Sequence, residues 1–449
     1  MKKQLLITGM VLALTCASSL AGTSYWSSNA TGFWDTTTFN WSSDPTGTPT
    51  TTFTAGDAVI FSSSAVTASI TANLTASYSV ASLTKNGTNT ITITGTATGR
   101  TLTLLDNTAT VNDGTLSIST NAKLSTTGDF VKAGNGILSL SSACTFGGNV
   151  SITGGYLNYV LNRLPTSSIV TIASGAALRM SGAAGNVFTQ AGLSGAGSVE
   201  GYGTAAAYGL TLDRASGTSD FSGVIQNGTA TALAITKNGT FTQTLSGANT
   251  YTGATTVNAG TLLINGSTSN SSAVTVNAGG TIGGNGTIGG SLTLNGGNLN
   301  PGNSPGLLTV GSLVLSSGNT TLEINNTTRG TTYDAIDVAA GGAVQFGGAL
   351  TFNFGNGGAF ADATTFNLFA FNTTSSGNFS GITSTGYASY SGLTWTQSGD
   401  VWSASAGNGQ ILNFSELDGS LNVIPEPATW ALLAFSLTTI MVFRRRRMN

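Results

Sequence analysis

The chain has 449 residues, of which 62 are glycine and 2 are cysteine; 7% are charged and none is histidine. Without histidine, Ser-His-Asp and Cys-His nucleophile systems, His-ligated zinc and imidazole acid-base chemistry are excluded. The formal charge is −2, but Lys2, Lys3 and Arg444 to Arg447 sit at the ends; setting Glu426 aside, the body between them holds nine basic and sixteen acidic residues. Nucleic acid needs clustered Lys and Arg to neutralise phosphate, so this body argues against it as a partner.

Met1 to Ala21 reads as a secretory signal: Lys2 and Lys3, the apolar run LLITGMVLAL, then Ser19, Leu20 and Ala21 before Gly22. Small residues at −3 and −1 place signal peptidase cleavage between Ala21 and Gly22, in preference to a short uncleaved anchor. Cys16 could mark a lipoprotein, but Thr15 before it is larger than the small residue usual there. Removal of the signal leaves Cys144 alone, so no intrachain disulfide can form, and the thiol is expected to be a buried small apolar group.

The N-terminal aromatics Tyr25, Trp26, Phe33, Trp34, Phe39 and Trp41 are expected to cap one end of the fold, with sugar stacking as the alternative for a row of exposed Trp. Beyond them the body is a repeat. Lys132 to Leu157 aligns without a gap to Lys237 to Leu262, an offset of 105, with Leu140, Ser141, Thr145, Gly148 and Gly155 matching Leu245, Ser246, Thr250, Gly253 and Gly260. The match continues from Ile169 to Leu178 against Ala273 to Ile282, and from Leu193 to Gly201 against Ile282 to Gly290. TVNAG begins at Thr256 and again at Thr275, nineteen residues apart. Runs such as TITITG, TLTLL and AVTV alternate apolar with polar residues, as strands with one buried face do, and NG, GG and AG pairs divide them. Short strands, frequent turns and a period near twenty predict an all-β right-handed parallel β-helix, a solenoid with terminal β caps; repeated β-sandwich domains are the rival, for which the short period is too small.

The segment LSGANTYTGATTVNAGTLLING, Leu245 to Gly266, resembles the autotransporter-associated β-strand repeat, with a weaker copy at 132–157. Leu299 to Leu315 is similar to the region following such repeats, and FWDTTTFNW with AGDAVIF resembles the entry segment of the same proteins. Autotransporters end in a large translocating β-barrel, whereas a short tail stands here, so self-export through the outer membrane is not expected. From Thr320 the pattern gains Phe and loses NG turns, which suggests a closing cap in which Trp395 and Trp402 pack. The expected organisation is a signal peptide at 1–21, an entry cap at 22–81, β-helix repeats at 82–338, a C-terminal cap at 339–423 and a tail at 424–449.

In that tail Pro425, Glu426 and Pro427 lead into a sixteen-residue apolar run, Ala428 to Phe443, then Arg444, Arg445, Arg446 and Arg447. As a helix the run would be about 24 Å long, short of the ~20 residues that usually cross a bilayer core; Trp430 and the arginines at the two interfaces could make up the difference. The arginines would stay cytoplasmic and hold the body outside the inner membrane. This end resembles the PEP-CTERM sorting signal: Pro425, Glu426 and Pro427 match its motif, the apolar run its transmembrane helix and the arginines its basic tail. The resemblance implies recognition by an exosortase-type membrane transpeptidase of Gram-negative bacteria and sorting to the cell surface or exopolysaccharide matrix.

Catalysis finds little support. Asp334 and Asp337 are the nearest carboxylate pair, but a spacing of three puts them on opposite faces of a strand. GGNGT at Gly283 to Thr287 lacks the Asp of a calcium-binding turn, and no GK[ST] follows the glycine pairs. No cofactor or metal is expected. The sequence therefore predicts an exported, non-enzymatic structural protein of the surface or extracellular matrix, with signal peptidase and an exosortase as processing partners and self-association through its β surface. An exopolysaccharide-binding, lectin-like module or adhesin is the alternative, and a polysaccharide-degrading β-helix enzyme the remote one.

Overall fold

A computed structural model describes residues 21–119, 121–160, 163–203, 207–355 and 358–425. Glu426, Pro427, the apolar run 428–443 and the four terminal arginines lie outside the described residues, as does the signal segment apart from Ala21. The described chain is all-β, without a helix.

Alternation decides the local structure. In Thr90–Gly95 the threonines point outward while Ile91 and Ile93 are fully buried, because period-two side chains on a half-buried strand put every second residue into the core. Such strands are too short to bury themselves, so each stacks in parallel on its equivalent one coil later. Three strands per coil give three faces. On the second face the stacking produces an aliphatic column, Ile91-Leu116-Leu138-Leu157-Leu178-Val199-Ile225 in register, a continuous file of Ile, Leu and Val through this part of the core.

The first face carries the longest ladder. It passes from Leu83–Lys85 through Thr108–Val111, Phe130–Ala133, Val150–Ile152, Ile169–Ile172, Gly192–Gly195, Thr218–Phe221, Thr242–Leu245, Gly260–Ile264 and Gly280–Gly284 to the last segments of the long strands Thr287–Pro301 and Leu307–Ile324, twelve rungs over this stretch. At ~4.8 Å per rung this is nearly 60 Å of solenoid. Parallel pairing also runs into both segments expected as caps: Thr23–Trp26 pairs Ala58–Phe61 below it, and Ala349–Phe354 pairs Gly381–Gly386 above it.

The two ends are closed differently. At the entry, Trp41–Ser42 turns back antiparallel onto Tyr25–Trp26 and covers the first rung's edge. Trp26, Trp34 and Trp41 are fully buried and meet edge to face at 5.1 Å, with Phe53 and Phe61 around them, which removes the Trp side chains from any sugar-stacking role; Phe33 and Phe39 alone of that group's large rings stay exposed. At the far end Thr365–Asn367, Ser420–Pro425, Gln410–Ser415, Val401–Ser405 and Thr396–Ser398 form a five-stranded antiparallel sheet in that order. Trp395 packs on Phe352 at 5.4 Å. The buried Glu416 carboxylate accepts Trp402 Nε1 at 3.1 Å, Phe379 N at 2.7 Å and Asn378 Nδ2 at 2.6 Å, tying this sheet to the last coil.

The repeat acquires a geometric meaning. Lys132 lies on the first face, paired with Ile152, whereas Lys237 lies on the third, paired with Leu212 and Val257. Between them the first face adds four rungs, after which the chain crosses Val224–Gln226 on the second face and enters Ala232–Asn238 on the third. The 105-residue offset is thus four coils and two faces, and the second copy stands one face round from the first.

Candidate functional site

The chemically strongest groups of the body point inward. Lys85, Lys132 and Lys237 are each fully buried at the end of a strand whose stack is otherwise apolar: Lys132 follows Leu83 and Ala109 and precedes Ile152 and Ile172. Each is followed by Asn or Ala and then a glycine of positive φ, Gly87, Gly134 or Gly239. This turn folds the carbonyls of the corner back over the strand end, where the ammonium meets them. Lys132 Nζ donates to Gly134 O, to Gly136 O at 2.6 Å and to Gly154 O at 2.8 Å. Lys237 Nζ donates to Asn238 O and Gly239 O at 2.8 Å and Ala259 O at 3.0 Å, and lies 3.9 Å from the Phe241 ring centroid. Lys85 donates to Gly87 O and, at 2.8 Å, to Asp113 O. Burial lowers all three amines to about 8, with Asp113 opposing the shift at Lys85 and Asp213 at Lys237. They remain protonated at neutral pH and act as corner braces. Lys85 was not among the aligned residues; the K-N-G-T it shares with Lys237 to Thr240 was the available signal.

Amides brace other corners. Gln243, fully buried on the first face, bonds Leu193 N, Leu193 O and Ser219 O and so spans three rungs. Asn249 stands in for a strand residue, accepting Ile225 N and donating to Gly247 O and Ser267 O. Its counterpart at offset 105 is Cys144, buried, with burial pushing its thiol up to about 12; a thiol so seldom ionised is a poor nucleophile. Asn238, Asn258, Asn277 and Asn295 stack as a ladder of amide hydrogen bonds of 2.8 to 3.0 Å.

The carboxylates considered for catalysis are also engaged. Asp334 is buried and accepts Gly306 N at 2.7 Å and Glu323 N at 2.8 Å; burial lifts its carboxyl to about 7 against those two donors. Asp337 pairs with Arg329 at 2.7 Å. Arg179 lies 3.5 Å over the Tyr156 ring and pairs with Glu200 at 2.5 Å, which in turn accepts Gln226 at 2.7 Å. Among the described residues no group of three or more Asp, Glu or Cys converges as metal ligands. An open groove of about 680 Å³ runs along the outside of the first face, lined by Thr171, Ser194, Asp220, Thr242, Thr244 and Leu263. It offers hydroxyls paired in register, Thr171 beside Ser194 and Thr218 beside Thr242, and one carboxylate, Asp220, beside Thr244.

Of the processing residues, Ala21 and Gly22 are exposed at the entry, where Gly22 N donates to Asp57 Oδ1 at 3.0 Å. Pro425 is exposed at the end of the last strand, opposite Gln410. Among the described residues no helix is long and apolar enough to cross a membrane.

Comparison with known proteins bears on the repeats. The passenger-associated-transport-repeat family matches residues 130–158 and 235–264. An adhesin BmaC autotransporter of Brucella suis biovar 1 (strain 1330) is 32% identical over 209 residues, 43% of this chain and 6% of that adhesin; the match thus spans a small fraction of the relative. The 132–157 copy falls within the first matched segment, and the second holds Lys237 and most of Leu245 to Gly266. The chain therefore carries two passenger-associated-transport repeats, built as turns of its solenoid.

Proposed function

We propose that the chain is an exported, non-enzymatic structural protein of the cell surface or extracellular matrix, released from its leader after Ala21 by signal peptidase and sorted through Pro425-Glu426-Pro427 by an exosortase-type transpeptidase. The observation that carries this reading is the solenoid itself, bearing two passenger-associated-transport repeats, with Lys85, Lys132, Lys237, Gln243, Asn249 and Glu416 engaged in bracing its coils. Pro425 supports the sorting step: it stands exposed at the end of the Ser420–Pro425 strand of the C-terminal sheet. The arginines would hold the tail in the cytoplasm meanwhile.

Mass spectrometry of surface-released protein tests this. The mature form is expected to lack Ala428 to Asn449, and Glu426→Ala to accumulate as membrane-bound precursor. A surface form that retains the four arginines would refute sorting.

A second reading, an adhesin or exopolysaccharide-binding module, is favoured by the groove on the first face and by the adhesin relative. Neutral hydroxyls paired ~4.8 Å apart across adjacent rungs, Thr171 with Ser194 and Thr218 with Thr242, suit an extended, uncharged polymer, and a pull-down with extracellular polysaccharide tests it.

A further inference from the structure

The first residue of the expected mature chain is held on both sides. Gly22 N donates to Asp57 Oδ1 at 3.0 Å, and Gly22 O accepts Ala58 N at 2.9 Å. Ser24 Oγ fills the other carboxylate oxygen, Oδ2, at 2.7 Å. Asp57 belongs to the turn that starts the next rung, whose Ala58 lies in register beside Thr23, and its own carbonyl accepts Ala81 N at 2.9 Å. The carboxylate is thus fixed by two coils and aimed at one backbone nitrogen. A Cβ at Gly22 would stand 3.0 Å from Oδ1, so the close approach suits glycine.

We propose that Asp57 and Ser24 form a receptor for the α-ammonium that cleavage creates on Gly22, so that removal of the leader completes the first rung with a charge pair. The proposal rests on cleavage between Ala21 and Gly22. Hydrolysis of that peptide bond puts the water oxygen on the Ala21 carbonyl carbon as a carboxylate, and the Gly22 nitrogen takes up protons to become an ammonium, since an α-amine ordinarily titrates near ~8. The nitrogen need not move. What was a neutral amide donor becomes a cation at hydrogen-bond distance from a carboxylate, and a charge-assisted bond of this kind is roughly twice as strong as a neutral one. The precursor lacks that gain, so the entry coil closes more firmly after processing than before it. The neighbouring elements bring Tyr25, Tyr78, Lys85 and Asp106 as their titratable groups; Tyr78 bonds Thr75, Lys85 is turned toward the carbonyls of Gly87 and Asp113, and Asp106 stands one rung beyond Ala81, to whose carbonyl its amide donates at 3.0 Å.

The test uses the full protein processed by an exporting Gram-negative host. N-terminal sequencing comes first, because a start elsewhere than Gly22 removes the cleavage reading and the receptor with it. With a Gly22 start, the α-amine is labelled by ¹³C reductive methylation and titrated by NMR in wild type and Asp57→Asn. The expected result is an amine pKa about half a unit or more higher in wild type, with a smaller loss in Ser24→Ala. Equal values in wild type and Asp57→Asn overturn the receptor while leaving cleavage intact. Should Asp57→Asn fail to accumulate, the wild-type titration at low salt and in 1 M salt decides: a raised pKa that falls with salt supports the pair, and an ordinary, salt-independent one refutes it.

Discussion

Replacing Lys132 by Met keeps most of the stem volume and removes the ammonium, so it isolates what the charge does for the corner. Three carbonyls face Nζ. Gly136 O also accepts Tyr156 N at 3.2 Å and keeps that partner; Gly134 O and Gly154 O lose the donor that reaches them. A buried polar group left unpaired costs about 1–3 kcal/mol, and losing the burial of one charge offsets part of the sum, so Lys132→Met should destabilise by about 2–4 kcal/mol. Lys132→Ala should cost more, because the stem's contacts with the Ala109 and Ile152 rungs go too. Urea unfolding gives the total, and hydrogen exchange at the amides of Val131 and Thr153 shows whether the loss is local, as nearest-neighbour coupling in a solenoid requires. Lys123, partly exposed on the third face, is the control and should tolerate Met. The pH dependence has a definite sign. With a folded pKa of about 8 against about 10.4 unfolded, the unfolded chain binds more protons between those values, so wild-type stability relative to Lys132→Met rises across that window and is flat below it. A Met variant within about 0.5 kcal/mol of wild type, with unchanged exchange at the corner, would refute the brace.

Gly239 combines a φ of +65° with a site where a Cβ would run into the Arg214 backbone, so Gly239→Ala should cost well over 1 kcal/mol by urea unfolding, while Gly399→Ala, at +62° in open space, should cost about 1. Asn258→Ala removes the ladder's second member and both its amide bonds; a loss of about 1–2 kcal/mol confined to coils 238–295 is expected, read by hydrogen exchange. Glu416→Gln turns one acceptor oxygen into a donor among Trp402, Phe379 and Asn378, so the near-ultraviolet circular dichroism of the cap should weaken and its melting fall ahead of the coils.

Much of the architecture was legible because a solenoid writes its contacts into the sequence at fixed spacing. Ile91 and Ile93 alternate with threonine because alternation is what a half-buried strand requires, and TVNAG recurs nineteen residues on because Val257 and Val276 stack in one column. The 105-residue period was legible too, but its rotation by one face was not. The coils between the copies are longer, Gly195 pairing Phe221 across 26 residues against 19 from Leu245 to Ile264, and a linear alignment counts residues without counting corners. Gln243 and Asn249 were invisible for a related reason: a buried amide in a polar-looking stretch has no composition signature, and only the carbonyls of neighbouring coils reveal its use. The extension of parallel pairing to Gly386 was hidden by the Phe-rich segments after Thr320, whose rings Phe352, Phe354 and Phe369 are buried without ending the ladder.

The rotation constrains where a ligand surface can lie. If the repeats themselves carried a recognition strip, their outward residues would have to line up along the axis, which needs copies separated by whole coils. They stand one face apart, so their outward positions do not share a stripe. The groove instead joins Thr171, Ser194, Asp220, Thr244 and Leu263 on one face, largely across the longer coils between the copies. Under the adhesin reading, affinity should therefore follow these residues. Asp220→Ala combined with Thr244→Val should abolish retention of a neutral exopolysaccharide, while Asn112→Ala, which alters an exposed amide bonded to Asn86 at the corner that follows the first face, should leave it unchanged. Both sites are peripheral to the core columns, so circular dichroism should match wild type in each. Retention lost equally in both variants, or in neither, would disconnect binding from the groove and leave the solenoid as scaffold alone.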